Sequence, residues 1–332
     1  MRERVLPGGV LARVASSHLR VGTFQYFAAR GDVENLRILA DYTIARHYSD
    51  KGGGEDPYLT FYNAVVAALA RLTARWMLVG FIHGVLNTDN TAISGETLDY
   101  GPCAFLDDYD PKKKFSSIDH GGRYAFANQP RIAQWNMARF AETLLGLIAD
   151  DQDEAVRIAT ERLNRFPALF EAAHLRVLRA KLGLVDESQF DDRALANDLL
   201  GRLAENHVDY TLFFRRLCAC AADPSADADV AALFDEPGAF RTWAETWRQR
   251  LATEAVSPEA RAAAMKQANP AFIPRNHRVE QAIEAAVRLR DFGPFELLAD
   301  VLSRPYDDQP EHAEFAAAPG PDQGVYQTFC GT

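Results

Sequence analysis

His83-Gly84-Val85-Leu86-Asn87-Thr88-Asp89-Asn90, closed downstream by Asp99-Tyr100-Gly101, is the stretch on which the reading of this chain turns. Helical periodicity stops here. Ile82–Gly101 is rich in Asn, Asp, Thr and Gly, and two short β-like pieces, Thr91–Ser94 and Glu96–Asp99, flank Gly95. That pattern predicts a tight β-hairpin. The glycine after Asp99 lets the chain turn away sharply while the carboxylate faces a cleft. Phosphate chemistry asks for such parts: a carboxylate to orient or deprotonate a hydroxyl, and hard oxygen ligands to hold Mg²⁺. Asp89 is the candidate base, and Asn90 and Asp99 the candidate metal ligands. Taken singly, an Asx-rich loop or an Asp-x-Gly turn is a common structural device without chemistry. Their order behind a long apolar helix is what gives them weight.

That helix is predicted over about Pro57–Val79, with Leu59, Tyr62, Val66, Leu69, Thr73 and Trp76 on one stripe and Pro57 in its first turn. Long helix, His-initiated loop, Asn90, hairpin and Asp99-x-Gly101 follow the sequence of parts in kinase-like enzymes. The departure is at Val85, where the usual spacing would put an Asp; the base therefore falls to Asp89.

Upstream, Asp32–Tyr48 has helical spacing, and Ser49–Pro57, with three glycines, reads as a loop. Gly9–Ala15 (GVLARVA) reads as a strand whose sheet partners would lie further upstream. Downstream, Pro102–Ala127 is a long loop of the kind that is functional or mobile, with Lys112–Lys114 as a solvated charge run. Helices resume at about 131–149, 153–165, 167–182, 192–205, 208–221, 238–253, 257–267, 277–289 and 294–303, before a Pro-, Asp- and Gly-rich tail. The fold class is mainly α.

A hydrophobic content of 48% supports a large core, and a net charge of -10 argues against a phosphate-tracking nucleic-acid binder. No apolar run reaches the roughly 18–20 residues that span a bilayer, and no secretory pattern opens the chain, so a cytoplasmic protein without membrane partners is expected. Four scattered cysteines make no disulfide scaffold; Cys218 and Cys220 read as packing residues. Arg13, inward on the expected strand, and Arg20 lie among apolar and small residues. Either they form structural ion pairs, or they grip an anion such as phosphate.

Taken together, VLARVASSHLRVGTFQYFAARGD (Val10–Asp32), HGVLNTDN, LDYGPCAFLDDYDP (Leu98–Pro111), GRYAFANQPRIAQWN (Gly122–Asn136) and FCGT (Phe329–Thr332) resemble the selenoprotein O family, the YdiU-like protein adenylyltransferases with a pseudokinase fold. The resemblance implies transfer of AMP from ATP to hydroxyl side chains of proteins, with Mg²⁺ or Mn²⁺ and with ATP flipped relative to ordinary kinases. It matches Asp89 to the proton acceptor, Asn90 and Asp99 to the metal ligands, Asp99 also to a place near the nucleotide, and Arg13 and Arg20 to the phosphate-gripping arginines. It implies a protein-kinase-like C-lobe with a short hairpin at the cleft. Residues 1–22 would be a remnant of the N-lobe strand and hinge, 23–150 the catalytic core, and 151–332 a helical extension of the same lobe. The family's glycine-rich small lobe, with its strand lysine and helix glutamate, is expected to be missing upstream and its loss to impair activity. A kinase-type phosphotransferase, or an inactive fragment or interaction module, is the alternative. Cys330 matches the near-terminal position of selenocysteine or cysteine in the family. The loop Lys114–Ser117 lacks the cysteine that some relatives pair with it.

Overall fold

The computed structural model describes residues 9–51, 56–185 and 190–329. Its elements are α1 (Val21–Ala28), α2 (Val33–His47), α3 (Pro57–Leu78), β1 (Phe81–Ile82), β2 (Ala104–Phe105), α4 (Gln129–Ile148), α5 (Gln152–Leu163), α6 (Phe166–Leu182), α7 (Asp192–Glu205), α8 (Tyr210–Ala222), α9 (Asp227–Ala231), α10 (Pro237–Leu251), α11 (Pro258–Ala268), α12 (Asn276–Glu284), α13 (Gly293–Ser303) and α14 (Ala313–Ala316). A π-helical turn, Ala285–Leu289, continues α12. The protein is mainly α, as expected.

Local chemistry sets most boundaries. Asp32, Asp151, Asp191, Asp209 and Ser257 each accept a backbone N–H of the first turn they precede. Proline opens α3, α4, α6, α10, α11 and α13, where its missing N–H goes unused in any helix. Gly183, at φ +71, ends α6 in the left-handed conformation glycine adopts freely.

Helix α3 is the axis of the molecule. Phe61, Tyr62, Val65, Val66, Leu69 and Ala70 face one core with α1, α2 and α4, while Met77 at its end joins a second core built by α6 to α8, α10 and α11. β1 and β2 follow from this end: Phe81 pairs with Phe105 and Ile82 with Ala104.

Three expectations need correction. Gly9–Ala15 forms no strand; among the described residues nothing pairs with it, and Val10, Leu11 and Val14 stand almost fully exposed. A ladder needs a partner edge. Arg13 accordingly does not point inward but is exposed. The hairpin at Thr91–Asp99 is a reversal closed by one antiparallel bridge, Thr91 to Thr97, because only a few residues on each side of Gly95 are free to pair. Gly95, at φ +75, lies so close to α3 that a Cβ there would sit 2.9 Å from that of Ala68.

The loop 102–127 is pinned. It contributes β2, pairs Asp108 with Asp209, and pairs Ser116 with Thr328 of the tail. Thr328 also donates its hydroxyl to the Pro102 carbonyl. Of the expected solvated lysines only Lys112 is exposed: Lys114 donates Nζ to the carbonyls of Asp119 and His120, and Lys113 lies over the rings of Phe115 and Tyr326. Cys218 and Cys220 are buried packing residues; Cys330 lies outside the described residues. No helix among the described residues is long and apolar enough to cross a membrane.

Candidate active site

The loop His83–Asn90 leaves β1 and is held by buried neutral side chains. His83 is buried: its Nε2 donates to the Leu98 carbonyl at 2.9 Å, and its Nδ1 accepts the Val85 N–H at 3.4 Å. Burial depresses its pKa, which agrees with a neutral ring carrying its proton on Nε2. The histidine is thus a staple between the loop and the residue before Asp99, a structural part. Gln129 accepts the His83 N–H and donates to the Phe81 carbonyl. Asn136, fully buried on α4, donates Nδ2 to the Leu86 carbonyl and to the Thr91 hydroxyl. Gly84, at φ +82, is required twice over, since a Cβ there would meet the Pro102 carbonyl at 2.7 Å.

Within the loop, Asn87 Oδ1 accepts the Asn90 N–H, and Thr91 Oγ1 donates to the Asn87 carbonyl, closing the short 3₁₀ turn Thr88–Asn90. Asn90 donates Nδ2 to the Val85 carbonyl at 2.9 Å, which fixes the amide orientation; its Oδ1 takes no hydrogen bond among the described residues. The Thr91–Thr97 bridge leaves Asn90 and Leu98 each one residue outside it. Asp99 then turns out of line at φ +62, a left-handed conformation that Asp tolerates better than most residues. Asp89 is exposed; Asn90 and Asp99 are half-buried.

The segment before α1 docks onto this loop. Val21 donates its N–H to the Thr91 carbonyl and Ile93 to that of Leu19, both at 3.0 Å, so Arg20 bridges Ala92. Beyond the bridge, the Asp89 carboxylate lies against the Cα of Gly22. Arg20 is half-buried, and its Nε is buried without a partner. Arg13, further out, has its guanidinium 6.0 Å from the centroid of the Tyr100 ring, beside Asp99. Direct contacts therefore join 19–22 to 89–93, 83 to 98, and 13 to 100; no side-chain hydrogen bond joins Asp89 to Asp99 among the described residues. Neither arginine has a carboxylate partner there, so neither forms the structural ion pair that the sequence left open.

The donor set suits a divalent cation and a phosphate. Asn90 Oδ1 and the Asp99 carboxylate are hard oxygens, and two of them leave room for phosphate oxygens and waters around an octahedral ion. An orphaned, buried guanidinium nitrogen suits an anion. No cluster of three or more His, Cys, Asp or Glu able to hold a metal occurs among the described residues. Burial pushes the nearby Cys103 thiol up to about 11, which keeps it protonated.

Gln129, Asn136 and Gly22 are contacts of the loop that the sequence reading passed over. Asn136 had a signal: it is an amide on the Ile132, Asn136, Phe140 stripe of an otherwise apolar helix face. Gly22 offered only a glycine early in a helix.

A family model described as "Protein adenylyltransferase SelO" matches residues 2–303. A protein nucleotidyltransferase YdiU from Nitrobacter hamburgensis is 62% identical over 332 residues, covering 100% of this chain and 65% of that protein. Its counterpart from Nitrobacter winogradskyi has the same identity and coverage. That from Rhizobium meliloti is 56% identical over 331 residues, covering 100% of this chain and 67% of its own length. The chain thus spans just under two thirds of the length of the two Nitrobacter relatives.

Proposed function

Because the chain belongs to the SelO family of protein adenylyltransferases, we propose that it carries the base, metal ligands and phosphate arginines of an enzyme that transfers AMP from ATP to Ser, Thr or Tyr hydroxyls of proteins. Asp89 accepts the proton of the attacking hydroxyl, whose oxygen bonds to the α-phosphorus while the bond to the pyrophosphate leaving group breaks. Arg20 and Arg13 bind the nucleotide phosphates and offset the charge that develops as pyrophosphate departs. Asn90 and Asp99 would hold Mg²⁺ or Mn²⁺. When bound, the ion supplies Lewis-acid neutralisation of the phosphate oxygens. In this reading residues 23–150 are the catalytic core of a kinase-like lobe, 151–332 its helical extension, and 1–22 the segment that brings the arginines.

The observation that carries the proposal is the docking of Leu19–Val21 onto Thr91–Ile93, which sets Arg20, half-buried and without a carboxylate partner among the described residues, next to the segment that follows the Asp89–Asn90 turn. An arginine there without an acidic partner is costly unless an anion is its ligand.

The test is mass spectrometry of the chain and of casein after incubation with ATP and Mg²⁺ or Mn²⁺. Gain of an AMP unit that disappears in Asp89→Ala is the expected result. Gain of a phosphate instead would make the protein a kinase. No modification, together with no heat of ATP binding in calorimetry, would leave a non-catalytic module.

A further inference from the structure

We infer that Gly22 is a positioning residue for the Asp89 carboxylate, an inference resting on the reading of Asp89 as proton acceptor. A Cβ built on Gly22 would fall 1.9 Å from Asp89 Oδ1 and 3.1 Å from its Cγ, yet 3.5 Å from its Cα. The two main chains therefore have room for a methyl group between them. The carboxylate in its present rotamer does not.

Neither main chain is free to retreat. On the Gly22 side the first turn of α1 is fastened before and after the glycine: Val21 N–H donates to the Thr91 carbonyl, Thr23 N–H to the Arg20 carbonyl, and Arg20 N–H to the Thr23 hydroxyl at 3.1 Å. Val21 and Phe24 are wholly buried and anchor the helix in the core, with Phe24 edge-on to Phe140. On the Asp89 side, the turn is closed by the bonds of Asn87 to Asn90 and Thr91. A methyl group at position 22 must turn the carboxylate.

The glycine has no local reason to be there. It lies inside α1 without a positive φ, and in such a place alanine is the better helix former. A residue that works against its own helix is there for the space it leaves, and the space is filled by the group that takes the proton.

A crystal structure of Gly22→Ala decides the geometry independently of activity. The Asp89 carboxylate is expected to swing off residue 22 with the main chain of 87–93 in place; an unmoved carboxylate, with α1 displaced instead, overturns the inference. The melting temperature of the variant is expected to be unchanged or higher, which separates the effect from misfolding. Kinetics follow on the full chain, with ATP, Mg²⁺ and casein. Gly22→Ala is expected to lower kcat roughly 10–100-fold, the scale of an ångström misplacement of a catalytic group, with the KM for ATP within about twofold of the parent. In an Asp89→Ala background the same change is expected to do nothing more, because it acts through that carboxylate. An unchanged kcat in Gly22→Ala, or losses that multiply in the double variant, overturns the inference while the functional reading stands. Parent-like transfer by Asp89→Ala overturns the assignment of the base itself, and with it the role of Gly22.

Discussion

Around the His83–Asn90 loop the buried polar side chains are neutral: Gln129, Asn136, Thr91 and an uncharged histidine. In the C-terminal helices they are ionic. Arg250, wholly buried, bonds Asp192 at 2.7 Å and Glu254 at 2.9 Å; Arg179 reaches the same aspartate, and Arg261 the same glutamate and the Gly183 carbonyl. Arg275, equally buried, is shared by Asp107 and Asp209 and also donates to the Ala316 carbonyl. The difference is one of what is left over. In the C-terminal region each of these arginines is ion-paired with at least one carboxylate, so its charge is committed to holding helices together. In the loop region amides and a neutral imidazole do the holding, and Arg13, Arg20, Asp89 and Asp99 have no ion-pair partner among the described residues. A neutral scaffold fixes geometry without neutralising the charges that a nucleotide and its cation would meet.

The sharpest way to break this comparison is to remove charge from each region. Arg250→Ala or Arg275→Ala strands buried carboxylates and is expected to cost about 3–5 kcal/mol in urea unfolding. Asp89→Ala, at an exposed position, is expected to stay within about 0.5 kcal/mol of the parent while removing transfer. Comparable losses in both experiments would erase the distinction.

Next in size is Asn136→Ala, which leaves the Leu86 carbonyl and the Thr91 hydroxyl without their donor. It is expected to cost about 1–3 kcal/mol in the same assay and to lower activity as well, since those groups set the Asp89–Asn90 turn. Retention of full activity would show that the neutral scaffold is dispensable to the loop.

The pH dependence sharpens the comparison further. Burial depresses the pKa of His83, and that of His174 falls to about 4, from an unfolded value of 6.5. Below pH 6.5 the unfolded chain binds protons that the folded one refuses, so the contribution of these histidines is expected to be full above that pH and to decline between 6.5 and about 4. His174→Phe should flatten part of the decline. Burial likewise lowers Lys181, between α3 and the C-terminal core, from 10.5 to about 7. Over that window the unfolded chain again holds the extra proton, so stability is expected to rise with pH. Lys181→Met should remove that rise, as thermal melts at pH 7 and 9 would show.

The smallest effect expected is that of Arg20→Lys. A lysine keeps the charge but not the planar fork, so ATP binding by calorimetry is expected to weaken by roughly 1 kcal/mol with stability unchanged. An effect on stability instead would mean that Arg20 is a structural arginine after all.

Much of this was legible in the residues. The helices from Asp32 onward declared themselves through apolar spacing, proline starts and Asp or Ser caps, all signals carried within a few neighbouring positions. The break in that period at Ile82–Gly101, and the Asx and Gly residues within it, marked the candidate site for the same local reason. Tertiary structure decided the rest. Gly9–Ala15 has strand composition but no partner to pair with among the described residues, so composition could not make it a strand. Loop 102–127 is held in place by residues as distant as Asp209 and Thr328. Gly22 comes to lie against Asp89 across 67 positions of sequence, a proximity that no pattern of nearby residues encodes, because it arises only when two separately fastened turns meet.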